Sequence, residues 1–514
     1  MVTDTKGGAI IAWSDSRADT NNPNIYVQRM NSAGIPLWTA NGITLFPNSF
    51  KQSSLASTAD GSGGAIIVWD DWRNGNKDVF AQKIDSGGNI KWTASGVPVC
   101  VKPLHQANPK GVPDGAGGEI IVWMDSVSGT PKGSYDIYAQ RISSTGALMW
   151  AAGGVPICIA SGIQSYPKIA IDGAGGAFIV WQDKRNGVDY DIYAQHMNAS
   201  GVAQWAANGI FICSTIGNQK NAKVKSDWAG GAVVVWQDKR GGLGYDVYAQ
   251  RVNVAGVTQW AVNGVVVCSA DSSQSGLDMA TDTSGVYFAW QDKRNTNWDI
   301  YGQRMNYNGT MAWAANGIPV SIAPLTQATP SIIRDGNGNS IIVWQDSSGG
   351  IGDIKSQKIG GNGNALWAAG GMAVGIAAGD QQSPGIISDG SGGCIYVFQD
   401  KRNMTDYDVY AHHLNADGTA VNGINEENVF IESKSWPNPF SSSAIIEMQV
   451  PAMRGVMQFF LYDMVGKKIE IPFSVSRNEI YIFRGNLQSG IYFYEIKMTD
   501  NATSKGKLIL TDTY

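Results

Sequence analysis

The chain has 514 residues, of which 43% are hydrophobic and 16% are charged, and its formal net charge at pH 7 is -5. This length and apolar content exclude a disordered chain and predict more than one domain. The negative charge, without any run of lysine or arginine, argues against nucleic acid as a partner, and no stretch reaches the roughly 18 continuous apolar residues of a membrane helix.

The first ten residues, MVTDTKGGAI, lack the basic start and the apolar core of an export signal. These residues resemble a segment from the middle of a β-strand. We therefore expect the native N-terminus and any N-terminal signal to be missing from this sequence.

A unit of about 55 residues is repeated eight times over residues 1–424. Each unit is marked by one aromatic anchor at the end of an apolar segment. The anchors lie 54 to 58 residues apart and are Trp13, Trp69, Trp123, Trp181, Trp236, Trp290, Trp344 and Phe398.

Four short β-like segments make up a unit, for example PKIAID, GAFIVW, DIYAQHM and GIFIC between Pro167 and Cys213. Helical repeats are excluded because these segments are too short and lack a 3.6-residue period. The second segment is apolar on both faces, as in a sheet packed between two other sheets. The sequence therefore predicts an all-β protein that contains an eight-bladed propeller of four-stranded blades, with the first and last repeats incomplete.

The turn between the first two strands contains aspartate and several glycines, as in Asp60-Gly61-Ser62-Gly63-Gly64. Equivalent turns begin at Asp114, Asp172 and Asp389. Aspartate followed by glycine suits the positive φ angles of a tight hairpin. We therefore expect structural turns and no cofactor, with calcium bound by the aspartates as the alternative.

The anchor is the first residue of the motif WQDKR or of a variant of it, and the aspartate of this motif occurs in all eight units. Catalytic sites are normally assembled once from different residues, so this repetition predicts a structural role. We expect each aspartate to accept hydrogen bonds from backbone amides of its own loop, or to pair with an arginine. The eight aspartates are Asp15, Asp71, Asp125, Asp183, Asp238, Asp292, Asp346 and Asp400.

Two further repeated sets have the same structural interpretation. The glutamines of the third strand are predicted to be buried amides bonded to a neighbouring strand, and the tryptophans after that strand are predicted to pack over blade edges. The glutamines are Gln28, Gln82, Gln140, Gln195, Gln250, Gln303 and Gln357, and the tryptophans are Trp38, Trp92, Trp150, Trp205, Trp260, Trp313 and Trp367.

Ligand binding is expected where the repeat varies. Aromatic residues just before the third strand lie beside loops that carry arginine, and this combination can stack on sugar faces and bond hydroxyls. The alternative is packing on the neighbouring blade. The predicted ligand-binding residues are Trp72, Tyr135, Tyr190, Tyr245, Trp298, Tyr407, Arg185, Arg240 and Arg294.

Motifs of metal and covalent catalysis are missing. The five cysteines form no CxxC, and the four histidines form no HxxxH or HExxH, so no metal site is predicted. No nucleophile elbow, P-loop or dinucleotide-binding pattern occurs in a suitable setting. We therefore predict no catalytic residues, although spacing in sequence cannot test for a pair of carboxylates.

After about Asn425 the repeat stops. Three blocks follow in order: the PNPF segment, then a YD pair with a glycine, then GIYF with a closing KLIL. Their residues are Pro437, Asn438, Pro439, Phe440, Tyr462, Asp463, Gly466, Gly490, Tyr492 and Lys507. These blocks resemble the type A C-terminal sorting domain of the type IX (Por) secretion system of Bacteroidetes.

The resemblance implies a small β-sandwich over residues 434–514 that is recognised by the outer-membrane secretion machinery, with a linker over residues 425–433. An accessory β-sandwich without a sorting role is the alternative. The repeats also resemble the DIYAQ and WQDKRNG repeats of exported Bacteroidetes proteins and, more distantly, TolB-type propellers, but that resemblance names no reaction.

Together these features predict a secreted or surface-attached propeller that acts as a binding or scaffold module for a glycan or another surface protein. The alternative is an extracellular polysaccharide hydrolase or lyase that uses carboxylates on the propeller rim.

Overall fold

The computed structural model describes residues 1–47, 50–127, 134–421, 433–448, 456–464, 467–476, 479–498 and 503–512. Every regular element in these ranges is a β-strand, and no helix in them is long and apolar enough to cross a membrane. The chain divides into two compact units, residues 1–421 and residues 422–514. The predicted all-β fold is confirmed.

The first unit contains eight antiparallel sheets that follow one another along the chain, and the strands of each sheet pair in sequence order. The first four sheets consist of β1 (Val2–Thr3), β2 (Ala9–Asp15), β3 (Asn24–Met30) and β4 (Ile43–Thr44); β5 (Gln52–Ala59), β6 (Ala65–Asp71), β7 (Asp78–Ile84) and β8 (Val97–Cys100); β9 (Gln106–Pro113), β10 (Glu119–Ser126), β11 (Tyr135–Ile142) and β12 (Val155–Cys158); and β13 (Gln164–Ile171), β14 (Ala177–Asp183), β15 (Asp191–Met197) and β16 (Ile210–Cys213).

The next three sheets have four strands each, and the eighth has three in the described residues. They consist of β17 (Gln219–Ser226), β18 (Ala232–Asp238), β19 (Asp246–Val252) and β20 (Val265–Cys268); β21 (Gln274–Asp282), β22 (Gly285–Asn295), β23 (Asn297–Met305) and β24 (Ile318–Ser321); β25 (Gln327–Arg334), β26 (Ser340–Asp346), β27 (Asp353–Ile359) and β28 (Met372–Gly375); and β29 (Gln381–Ser388), β30 (Cys394–Asp400) and β31 (Asp408–Leu414).

The second strand of each sheet forms the centre of the core. In β6, β14 and β18 every residue is buried, because each of these strands is covered by a neighbouring sheet on both faces. The hydrophobic clusters accordingly span pairs of sheets. One of them joins Val180 and Ile192 of the fourth sheet to Val234 and Trp236 of the fifth.

The eight sheets close into a ring. The first strands of successive sheets contact one another, and β29 of the eighth sheet also contacts β1 of the first. A hydrophobic cluster joins Ile395 of the eighth sheet to Ala9 and Ile11 of the first. First strands that meet around a common centre, with each sheet packed between two others, are the arrangement of a β-propeller, and each sheet is called a blade below.

The repeated tryptophans after the third strand tie each blade to the next. The indole nitrogen of Trp150 donates to the carbonyl oxygen of Ala199 in the following blade at 3.1 Å. The same bond is made by Trp38, Trp92, Trp205, Trp260, Trp313 and Trp367. The prediction that these residues pack over blade edges is therefore confirmed.

The repeated glutamines of the third strand act within their own blade, so the predicted bond to a neighbouring strand is wrong. Gln195 donates from Nε2 to the carbonyl of Ala206, and its Oε1 accepts from the amides of His196 and Trp205. The side chain thus fixes the loop that carries the tryptophan. A buried amide has both donors and acceptors to satisfy, and the backbone of this loop supplies a partner for each.

The second unit consists of two four-stranded sheets. One contains β32 (Ser433–Trp436), β33 (Ser443–Met448), β37 (Glu479–Phe483) and β36 (Phe473–Ser476), and the other contains β35 (Lys468–Ile469), β34 (Val456–Tyr462), β38 (Gly490–Met498) and β39 (Thr503–Leu510). Side chains of both sheets, including Ile446, Ile480, Leu461 and Ile496, form one core. The expected small C-terminal β-domain is confirmed.

Candidate functional site

The aspartate of WQDKR is the centre of a buried hydrogen-bond cluster, which we call the aspartate joint. In the fourth blade the carboxylate of Asp183 accepts from the indole nitrogen of Trp181 at 2.8 Å and from the amide of Arg185 at 2.9 Å. The guanidinium of Arg185 bonds the same carboxylate at 2.6 Å and donates to the carbonyl of Asn208. It also lies 3.8 Å from the ring centre of Tyr193.

The joint also reaches the preceding blade. The thiol of Cys158, at the end of the third blade, lies 3.7 Å from the carboxylate of Asp183. Cys213 makes the same contact with Asp238, and Cys268 makes it with Asp292. The predicted structural role of the repeated aspartates is therefore confirmed.

The third and seventh blades lack the arginine but keep the charge. Lys102 reaches Asp125 at 2.9 Å and lies 4.1 Å from the ring centre of Tyr138. In the seventh blade Lys355 takes the place of the strand-three tyrosine and lies 3.3 Å from Asp346. Loss of the arginine in these two blades is thus compensated by a lysine from another position.

The three arginines that were predicted to bind ligand are part of aspartate joints. Arg185, Arg240 and Arg294 each bond their aspartate, a backbone carbonyl and a cysteine thiol, and each lies on a tyrosine ring. Their side chains are only about one fifth exposed. These contacts give the three arginines a structural role within the joints, and their binding of a ligand stays a prediction.

Four of the predicted aromatic residues stand next to the lysine of WQDKR. The ammonium of Lys184 lies 5.8 Å from the ring centre of Tyr190, a distance typical of a cation–π contact. The equivalent pairs are Lys239 with Tyr245, Lys293 with Trp298 and Lys401 with Tyr407. We call these the rim pairs. In the fourth, fifth and eighth blades they lie on the loop between the second and third strands, and in the sixth blade they lie at the adjoining ends of β22 and β23, so they share one rim of the propeller.

Trp72 and Tyr135 deviate from this pattern, and Tyr407 of the rim pairs makes one further contact. Trp72 packs against His105 with ring centres 5.3 Å apart, and Lys77 lies 5.9 Å from its ring centre. Tyr135 is partly buried at the start of β11, directly after a stretch outside the described residues. Tyr407 is 41% exposed, and its hydroxyl donates to Asp380 at 2.6 Å.

The aspartates of the glycine turns on the opposite rim are saturated by protein groups. Oδ1 of Asp114 accepts from the amides of Ala116 and Gly118, and Oδ2 pairs with Arg141 at 2.9 Å. A calcium ion at these turns would have to displace such partners. No group of three or more potential metal ligands occurs within the described ranges. The paired residues in the other blades are Arg29 with Asp4, Lys83 with Asp60, His196 with Asp172, Arg251 with Asp227, Lys358 with Asp335 and His413 with Asp389.

A second repeated glutamine, not predicted from the sequence, lies at the start of the innermost strand in the second to eighth blades. These residues are fully buried, and they are Gln52, Gln106, Gln164, Gln219, Gln274, Gln327 and Gln381. Two positions later the strand bulges through a residue with φ between 49° and 58°, a conformation that only a few per cent of non-glycine residues adopt. The glutamine of WQDKR supports this bulge: Oε1 of Gln182 accepts from the amide of Asn221 in the next blade at 2.7 Å.

The predicted sorting residues meet in two places. The side chain of Asn438 donates to the carbonyl of Lys507 and accepts from the amide of Ile509, which joins the first block to the last. Phe440 pairs with Leu510 and lies in the core of the unit. Pro437 and Pro439 flank Asn438 in the first block.

The other sorting residues border one depression. Asp463, Gly490 and Tyr492 line it together, and the hydroxyl of Tyr492 donates to the carbonyl of Gln488. Tyr462 precedes Asp463 at the end of β34 and lies 3.4 Å from Glu495. Gly466 lies outside the described residues.

Residues 434–511 match the family model described as a secretion system C-terminal sorting domain. The resemblance to the type IX sorting domain is therefore confirmed. The protein is secreted or displayed on the cell surface, and its C-terminal unit interacts with the secretion machinery.

No curated protein matches the chain. Among solved structures, the polysaccharide lyase Uly1 is 12% identical with a TM-score of 0.40, and the match covers 75% of this chain and 93% of the lyase. The α-L-arabinanase of Penicillium chrysogenum, in complex with arabinobiose, is 11% identical with a TM-score of 0.36, and the match covers 72% of this chain and 96% of the arabinanase. Similarity at this level supports no conclusion about the activity of this chain.

Proposed function

We propose that the propeller is an exported binding module and that it binds carbohydrate at the rim formed by the rim pairs. The observation that supports this proposal is the repetition of a partly exposed aromatic ring beside a lysine in the fourth, fifth, sixth and eighth blades. Aromatic faces stack on the apolar faces of sugars, and an ammonium donates hydrogen bonds to hydroxyls.

The repetition of the pairs around the rim suits an extended or multiply branched glycan. A single stacking contact is weak, but several equivalent contacts on one rigid ring act together when one ligand reaches more than one of them. The aspartate joints under the rim fix the loops that carry the rings, so little conformational entropy is lost on binding.

The test is a glycan array probed with the full chain, followed by titration of the best ligand. Replacing Tyr190, Tyr245 and Trp298 together by alanine is expected to weaken binding at least tenfold. Trp228→Ala is the matched control, because Trp228 is an exposed tryptophan on the opposite rim and its removal is expected to leave binding unchanged. A blank array would overturn the carbohydrate proposal and leave a surface protein as the remaining ligand class.

A second candidate function, hydrolysis or elimination on a polysaccharide, is favoured by Asp136. Burial and then the neighbouring Asp125 raise the pKa of Asp136 to about 6, and the two residues face each other in the register of β10 and β11. A carboxyl group with such a pKa suits general acid catalysis. Turnover of any polymer by the full chain, abolished by Asp136→Asn, would establish this function in place of simple binding.

A further inference from the structure

The innermost strands of the second to eighth blades share one position at which these seven blades differ in charge. It lies four residues after the buried glutamine, and at each blade it pairs with the residue just before the aromatic anchor. From the second blade to the eighth it is occupied by Ala56, Lys110, Lys168, Lys223, Asp278, Ser331 and Gly385. Three successive blades thus present lysine at one level of the ring.

Side chains at this level meet across neighbouring blades. The ammonium of Lys223 lies 2.7 Å from Oδ1 of Asp278, and the hydroxyl of Ser331 donates to Oδ2 of Asp278 at 2.9 Å. Lys110 and Lys168 occupy the equivalent register positions on β9 and β13, and these strands also contact their neighbouring innermost strands. The two lysines therefore lie at the same level of the ring as Lys223.

The acids near these lysines already have partners. Asp278 accepts from Lys223, from Ser331 and from the amide of Ile332. Asp70 is the acid whose negative charge acts on Lys110. Its carboxylate is bound by the hydroxyl of Ser53 and by Lys77. Within the described residues, Lys110 and Lys168 form no ion pair, and the ammonium of Lys110 donates only to the carbonyl of Pro109.

The local charge is therefore positive inside a protein whose overall charge is negative. Strands β9, β13 and β17 contain five lysines and no acidic residue. Burial, and then the charge of Lys168, lower the pKa of Lys110 to about 8, and burial, followed by Lys223, lowers the pKa of Lys168. Partly buried like charges of this kind raise the free energy of the folded chain unless an anion neutralises them.

We propose that Lys110, Lys168 and Lys223 form an anion-binding site in the wall of the propeller channel, and that its ligand presents a carboxylate or sulfate group. Lysine ammonium groups act as flexible point charges with three donors each, which suits either anion. The two sources of this chemistry are a free inorganic anion and an acidic sugar. The site is independent of the rim pairs and does not rest on the proposed carbohydrate function.

The experiment is isothermal titration of the full chain at low ionic strength with sodium sulfate and with sodium D-glucuronate, and with D-glucose as an uncharged probe. We expect saturable binding of at least one anion and none of glucose. Sulfate alone identifies an inorganic ligand, and tighter binding of glucuronate identifies an acidic sugar. No saturable binding of either anion would overturn the proposal.

Lys168→Gln is the informative variant, and Lys6→Gln is its control, because Lys6 is exposed in the turn between β1 and β2 and belongs to neither proposed site. Lys168→Gln is expected to lower anion affinity at least tenfold, and Lys6→Gln less than twofold. Without anion, Lys168→Gln is expected to raise the Tm because it removes repulsion, whereas sulfate is expected to raise the Tm of the unsubstituted chain and not of the variant. Equal anion binding by the unsubstituted chain and Lys168→Gln would also overturn the proposal.

Discussion

His413 and Ser32 are 381 residues apart in the sequence, yet Nδ1 of His413 donates a hydrogen bond to the carbonyl oxygen of Ser32 at 2.7 Å. This bond joins the eighth blade to the first. Its acceptor corresponds to the carbonyl that a tryptophan binds at the other seven boundaries. Nε2 of His413 lies 3.0 Å from the carboxylate of Asp389. One ring thus contacts an acceptor in each of the two blades.

The first prediction concerns this boundary. His413→Ala removes both bonds and is expected to lower the Tm by a few degrees, because each lost hydrogen bond costs about 0.5–1.5 kcal/mol. His413→Arg is expected to restore or exceed the original Tm, since arginine makes the same pair of contacts in the first and third blades. Differential scanning calorimetry measures both. A Tm that neither substitution moves would contradict the role of His413 in closing the ring.

The second prediction concerns the aspartate joint. Asp183→Ala leaves the indole of Trp181 and the guanidinium of Arg185 without their shared acceptor, and removal of one partner of a buried pair costs about 3–5 kcal/mol. Lys184→Ala, one residue away, is the control, and we expect it to change the free energy of unfolding by less than about 0.5 kcal/mol. Urea unfolding followed by tryptophan fluorescence compares the two. Similar effects of both substitutions would refute the structural role of Asp183.

The third prediction concerns Glu119, which is fully buried. Oε1 accepts from the hydroxyl of Thr58 at 2.5 Å, while Oε2 has no hydrogen-bond partner within the described ranges. Burial raises the pKa of Glu119 to about 8. Between its ordinary pKa and pH 8 the unfolded chain therefore releases a proton that the folded chain retains, so the folded chain loses stability as the pH rises.

Glu119→Gln has no titrating group at this position. Its Tm is expected to match that of the unsubstituted chain near pH 4 and to exceed it increasingly up to about pH 8, where the difference levels off. Thermal unfolding at pH 4, 6 and 8 checks this. A difference in Tm that does not change with pH would show that Glu119 does not carry the shifted pKa.

The fourth prediction concerns the cysteines. All five are buried and free, and burial raises the pKa of each thiol to about 12. Because the thiolate is the reactive form, a thiol-specific reagent is expected to label none of them in the folded chain within minutes and all five after denaturation. Rapid labelling of any cysteine in the native protein would contradict the closed packing between blades.

The fifth prediction concerns export. Asn438→Ala breaks the bonds that join the first sorting block to Lys507 and Ile509. We expect this substitution to lower secretion in a native host strongly. Deletion of all residues from Trp436 onward is expected to have the same effect. Lys505→Ala is the control, because the Lys505 side chain is more than half exposed. Immunoblots of cell and medium fractions measure the effect. Normal secretion of the chain truncated before Trp436 would contradict the sorting role.

Much of the propeller was predictable from sequence because every blade has the same pattern of strands and buried residues. The anchor tryptophans and doubly apolar second strands require burial on both faces, and they predicted the stacked sheets. The role of Asp183 also followed, since a residue present in every unit serves the unit. Pairing of an arginine with this aspartate was also predicted, but the contact of Arg185 with the ring of Tyr193 could not be, because it depends on how the two strands place these side chains.

The cluster of lysines on the innermost strands was not predicted from the sequence, for a different reason. Lys110, Lys168 and Lys223 appear unrelated until the innermost strands are aligned on their first glutamine, and that glutamine is inconspicuous beside the repeated tryptophans. Their proximity depends on the ring and on the bulge that follows Gln164 and its equivalents. Neither curvature nor register around a central axis is encoded by the local pattern of any one strand.

The seam between the eighth and first blades also determines the order of folding. Its contacts, such as Ile395 with Ile11, join segments from near both ends of the propeller sequence. The ring therefore cannot close until nearly the whole propeller has been synthesised. Neighbouring blades can assemble earlier from contacts of short sequence separation, whereas closure requires the largest loss of chain entropy. The seam is therefore expected to be the last part of the propeller to become protected from hydrogen exchange during refolding.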